Sequence, residues 1–150
     1  MSIIRFSIIL VLLTVAQCNV PEPVEIKVGS QQCAHCRMGI VDMRFNAQLV
    51  TTKSKRYHFD SIECMEEWKA EHSAIKIRRA FVKNTAAVNL YIDYLDARFV
   101  QSERLPSPMG AYLAAYATED EVKEAIRAFG GREIQRSALL TASKNAQTQQ

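Results

Sequence analysis

The sequence predicts an α+β fold of two small ββαβ units packed together, with largely antiparallel sheets. Three observations carry that expectation. Asp60-Ser-Ile-Glu63 and Thr118-Glu-Asp-Glu121 both have the form of a capping box that opens a helix. Branched apolar stretches bounded by polar turns stand before and after each of these boxes. The order strand–strand–helix–strand therefore recurs, near 38–83 and again near 88–137, as a repeat of pattern rather than of identity. Each half is too small for a self-sufficient core, so the two are expected to pack together.

The elements follow in order. Arg5 and the apolar run Phe6 to Ala16, broken by Pro21 and Pro23, read as a secretory signal over 1–17. Such a run is too short for a comfortable transmembrane helix. Leu13-Thr-Val-Ala-Gln-Cys18 resembles the lipobox of bacterial lipoproteins, with Gln17 where a small residue is usual. Cys18 is accordingly expected to be lipidated; cleavage after Ala16, leaving it a free thiol, is the alternative. Residues 18–30, polar with two prolines, suit a tether between anchor and body. These features place the body on the periplasmic side of a bacterial membrane, or free in the periplasm without the lipid.

The first unit is expected over 31–84. Gly39 to Met43 and Asn46 to Thr52 read as strands, Tyr57 to Phe59 as another, and a helix runs from Asp60 or Ser61 to about Glu71 with Ile62, Met65 and Trp68 on one face. Lys76 to Val82 reads as the closing strand. The second unit is expected over 85–138. Val88 to Leu95 is a strand that continues through Arg98 to Val100, followed by a loop to Pro108 and a strand over Ala111 to Ala117. Val122, Ala125, Ile126 and Phe129 give helical spacing, Gly130-Gly131 stops the helix, and Glu133 onward reads as a last strand. The polar residues 139–150 read as a disordered tail.

Composition narrows the function. The net charge of +3 is scattered in pairs such as Lys55-Arg56 and Arg78-Arg79, which argues against a nucleic-acid partner. No Gly-rich phosphate loop, serine elbow or nucleophile–base pattern points to an enzyme. With Cys18 assigned to lipid, Cys33, Cys36 and Cys64 remain, an odd set for a disulfide framework but a suitable one for a metal.

Cys33-x-x-Cys36 alone leaves thiol exchange, zinc and a softer metal open. Strand-like sequence follows it at once, which weakens thiol–disulfide oxidoreductase chemistry, since that chemistry favours a helix N-terminus. Tyr57-His-Phe-Asp-Ser-Ile-Glu-Cys64 resembles the second half of treble-clef-like metal modules, which read Tyr-x-Phe-Cys-Ser-x-x-Cys. Asp60 stands at one cysteine position, so a zinc-stabilised structural module lacks a thiolate. His35 or His58 can offer a further ligand, whereas His72 reads as a helix-end residue. Met38 and Met109 offer thioether sulfur, which suits Cu(I) and is a poor ligand for zinc. Met65 reads as core, and Met109 lies in the turn Pro108-Met-Gly110, where a core role is unexpected.

Together these residues resemble the NosL family of nitrous-oxide-reductase accessory lipoproteins. The likeness runs from Cys18 through Cys33-Ala-His-Cys36-Arg-Met38-Gly-Ile-Val, Asn46-Ala-Gln48 and Tyr57 to Met65, and on to Pro108-Met109-Gly110 and the helix ending in Gly-Gly. It implies two ββαβ units similar to an organomercurial lyase domain and a Cu(I)-binding metallochaperone. The implied partners are the nitrous oxide reductase client, its membrane transporter complex and the membrane itself through the lipid anchor. Cys33, Cys36, Met38, Cys64 and Met109 are the metal-ligand candidates, with Met109 foremost. Arg37 replaces a common glycine, Ala111 a common polar residue, and Cys64 is an additional soft donor. A carrier serving another copper enzyme, such as cytochrome oxidase, fits the residues nearly as well.

Overall fold

The computed structural model describes residues 20–148, so the expected signal and Cys18 lie outside the described residues. The fold is mixed α and β, with two antiparallel sheets and three α-helices. The first sheet has the order β2-β1-β3-β4, from Arg56–Phe59, Ala47–Thr51, Ile77–Asn84 and Ala87–Asp93. Helix α1, Ile62–Glu71, packs on one face of it. Ala47, Leu49, Phe59, Ala80 and Val82 point to this face and meet Ile62, Met65 and Trp68. Trp68 closes over the Tyr57 and Phe59 rings, 4.4 and 5.9 Å between centroids.

The other face is sealed by the chain's own N-terminal segment. Gln48 exchanges hydrogen bonds with the Val24 backbone, Arg56 donates to the Glu22 carbonyl, and Arg79 to the Pro21 carbonyl. Lys83, 1% exposed, pairs with Glu25 at 2.6 Å and lies over the Tyr91 ring. Residues 20–28 are thus a strap over the sheet and not the free tether expected of them. Their extended backbone has no strand partner, so side chains of the sheet satisfy it.

The second sheet has the order β6-β5-β7, from Leu113–Tyr116, Arg98–Gln101 and Arg132–Ile134. Val100, Ala114 and Tyr116 face helix α2, Glu119–Phe129, through its Val122 and Ala125. Phe99, Leu113 and Ala115 face the other way, into the core of α1 and the first sheet. Phe45, from the first half, enters the α2 core, so the halves interlock. The capping box of α2 is present in full, with Thr118 and Glu121 satisfying each other's backbone.

Three expectations need correction. Gly39 to Met43 is not a strand; a single bridge, Gln32 to Gly39, closes a tight loop there. The stretch Val88 to Val100 is two strands, broken where Asp93 accepts from the Leu95 amide, and β4 joins the first sheet rather than the second unit. Helix α3, Leu139–Thr148, replaces the disordered tail. Leu139, Ala142, Ser143 and Ala146 recur at i, i+3, i+4, i+7, and these small residues let α3 lie against α1. Among the described residues no helix is long and apolar enough to cross a membrane.

Gly131, at φ +85°, crosses β5 so closely that a Cβ would sit 2.2 Å from the Gln101 carbonyl oxygen. Gly131→Ala is expected to lower the unfolding free energy by about 1–3 kcal/mol in a urea titration. Gly130→Ala should cost less, because a Cβ there meets nothing within 4 Å.

Candidate metal centre

Local chemistry folds the Cys33 loop. The Cys33 amide donates to the Met38 carbonyl and the Arg37 amide to the Cys33 carbonyl, at 2.8 and 3.1 Å. Arg37 takes the left-handed conformation, φ +67°, that turns the chain back. The Ala34 amide donates to the His58 carbonyl and pins this loop to β2. Asp60 follows β2 directly. Ser61 then caps α1, its hydroxyl accepting from the Cys64 amide at 3.2 Å, which sets Cys64 in the first helical turn.

These steps bring one donor atom from each of Cys33, Cys36, Asp60 and Cys64 within 4.8 Å of one another. Cys33, Asp60 and Cys64 are buried, and half-buried Cys36 is the most accessible of the four. All three thiols are free. Cys36 Sγ donates to Asp60 Oδ2 at 3.3 Å, while Asp60 Oδ1 is buried with no partner. A buried carboxylate oxygen left unpaired beside three sulfurs fits a site that a cation completes.

The electrostatics separate the thiols. The Cys64 thiol donates to Cys33 and lowers it to about 6, against the opposing effect of burial. Cys64 is pushed strongly upward by the same contact and by burial. Burial pushes Cys36 up to about 12. Cys33 is therefore the thiol favoured to ionise first, with Cys36 and Cys64 held toward the protonated form, and it lies beside the residues that open α1. The helix terminus that the Cys33-x-x-Cys36 sequence lacks is supplied in space by the helix of Cys64.

The other candidates fall in different places. Met38 is 48% exposed, outside the packed core. Met109, like Cys36, is partly buried and packs against the main core, to which Cys33 and Cys64 belong. Its turn is held by Ser107, whose hydroxyl donates to the buried Glu63 carboxyl and accepts from the Tyr112 amide. Met65 is wholly buried core, as expected. His35 turns to α1, with Nε2 2.9 Å from Glu67 and Nδ1 3.4 Å from Glu71. His58 shares the strap face with Gln48, opposite the cluster. His72 caps α1 and stacks on Trp68. Asp60 was not among the expected ligands. Its place at a cysteine position of the metal-module pattern is the signal that could have found it.

A family model for NosL matches residues 23–143. The fold is similar to the crystal structure of the copper chaperone NosL from Shewanella denitrificans, with a TM-score of 0.65 at 17% identity. That match covers 78% of this chain and 95% of the other. No curated protein matches the sequence.

In the reduced protein the ultraviolet absorbance of thiolate should show one step centred at about pH 6. Cys64→Ala removes the largest cause and should move that step upward, toward or above the ordinary thiol range. A step that stays in place would show that Cys64 does not stabilise the thiolate.

Proposed function

The chain belongs to the NosL family, and from that premise we propose that it carries Cu(I) outside the cytoplasm and hands it to nitrous oxide reductase or a related copper enzyme. The observation that supports this reading is the convergence of the Cys33, Cys36 and Cys64 sulfurs beside Asp60. Two or three thiolates suit Cu(I), which needs no fourth ligand and tolerates an open coordination sphere. The protein is read as a carrier without turnover, held at the membrane by lipid on Cys18 and meeting its client through the maturation transporter complex.

Transfer follows from the geometry. The Cys33 thiol, the one whose ionisation its neighbours favour, offers the arriving cation its first ligand. Cys64 and Cys36 then lose their protons to bind, and the Asp60 carboxylate, which already accepts from Cys36, passes that proton on to solvent. Release runs through the accessible side: a sulfur of the partner enters, and Cys36 leaves and regains its proton. Exposed Met38 stands at the same loop as a soft contact for the incoming or outgoing ion. Met109 contributes a neutral thioether, completing the soft ligand set that also includes Cys33, Cys36, Met38 and Cys64.

Asp60 favours one other reading. Three sulfurs and a carboxylate oxygen are also a four-donor set of the kind that zinc accepts. Stoichiometric zinc after purification without added metal, with unfolding by a chelator, would point to a structural zinc module instead. Thiol–disulfide exchange by Cys33 and Cys36 predicts insulin reduction that Cys33→Ser abolishes, and no turnover is expected.

The test is anaerobic competition of the reduced protein with a Cu(I) chelator. About one equivalent should bind, and removing a ligand by Cys33→Ser, Cys64→Ser or Met109→Ala should weaken affinity at least about tenfold. Absence of competitive binding overturns the proposal. Because Cys36 and Cys64 are protonated at neutral pH, loading all three sulfurs should release about two protons per ion. Affinity should then fall about a hundredfold per pH unit on acidification down to the Cys33 value of about 6, which buffered titrations at several pH values will read. In cells, deletion of the gene should leave nitrous oxide reductase inactive and copper-deficient if that enzyme is the client.

A further inference from the structure

Glu63 occupies the first turn of α1, directly before Cys64, where a helical glutamate is ordinarily solvated. Here it is fully buried. The turn that covers it is Ser107-Pro-Met-Gly-Ala-Tyr112, from the other half of the molecule. Ser107 donates its hydroxyl proton to Glu63 and accepts from the Tyr112 amide at 2.9 Å. The Gly110 amide donates to the Ser107 carbonyl at 3.0 Å. Two residues of this turn, Gly110 at φ +74° and Tyr112 at φ +60°, are left-handed, and only one of them is glycine. A turn of that shape needs an external hold, and Ser107 is where both of its ends meet the carboxyl.

Burying a carboxyl is costly, and a hydrocarbon of the same volume would fill the space more cheaply. The second oxygen of Glu63 is buried with no partner, so the group is not fully used by its present contacts. What it does accomplish is spatial. It ties the residue next to Cys64 to the residue two before Met109, across the contact between the two halves of the molecule.

We propose that Glu63 is a positioning residue that holds the Met109 thioether against the cysteine–aspartate cluster, so that the two halves of the molecule present one site. This rests on the reading of the protein as a Cu(I) carrier with Met109 as a donor. Glu63 touches no metal in this scheme; it acts through Ser107 on the turn.

The experiment compares the wild type with Glu63→Gln, Glu63→Met and Ser107→Ala, each checked for fold by circular dichroism. The readouts are Cu(I) affinity by chelator competition and the NMR signal of the Met109 ε-methyl group with and without Cu(I). Wild type and Glu63→Gln, which keeps an acceptor, should show a Met109 methyl shift on loading. Glu63→Met and Ser107→Ala should lose that shift and bind Cu(I) about 10- to 100-fold more weakly. Either variant combined with Met109→Ala should bind no more weakly than Met109→Ala alone. Two folded variants that keep the methyl shift, or penalties that multiply in the double variants, would overturn the positioning role and leave the carrier reading intact. A wild type that binds Cu(I) without a Met109 shift overturns it as well, while confining copper to the cysteines. A wild type that binds no Cu(I) overturns both.

Discussion

Helix α1 is buried almost all round, and its glutamates have to be satisfied there. Glu63, Glu66 and Glu67 are all buried. An unpartnered buried carboxylate costs several kcal/mol, so each requires a donor from another segment or from its own helix. Glu63 takes Ser107 from the second half, Glu66 takes Lys69 one turn on, and Glu67 takes Ser143 and Gln147 from α3 and His35 from the cysteine loop. The positions of three distant segments are therefore set by the polar needs of one helix. Apolar contact alone would allow α3 or the Ser107 turn to slide; directed hydrogen bonds do not.

The same helix governs the sulfur chemistry. Its capped N-terminus carries Cys64, and Asp60 precedes the cap. Burial resists placing several charges together, so only Cys33, which accepts from Cys64, is held low while its neighbours are held high. A cation placed among these sulfurs would reverse that balance by favouring their thiolate forms. Without a cation, the cluster resists any charge beyond that first thiolate.

What was legible in the sequence was what is decided locally. Both helix starts are written in a few adjacent residues, and Ser61 and Thr118 cap as such residues do. That Cys33, Cys36 and Cys64 form one group was legible because three thiols in an exported chain suit no disulfide framework, and the fold brings them together. Distant partners were not. The prolines of residues 20–28 look like a linker until Gln48, Arg56 and Arg79 are seen to satisfy their backbone. Val88 to Asp93 carries a strand pattern, but nothing in the pattern says that its neighbour is β3 and not β5. The small polar residues of α3 look unstructured because their partner, Glu67, lies 76 positions earlier than Ser143. Asp60 was read as a missing cysteine, whereas the fold brings its carboxylate beside the three sulfurs.

The contact between Glu67 and α3 bears on how the protein is made. A chain is synthesised from its N-terminus, and segments dock as they emerge. The cysteine loop is among the first parts of the body to appear, yet His35, which stands between its cysteines, leans on a glutamate whose other partners, Ser143 and Gln147, come last. Backbone bonds to β2 already place the loop, but the glutamate behind His35 gains its full set of partners only once α3 has docked. Docking of α3 is therefore the step that completes the polar brace behind the cysteine loop.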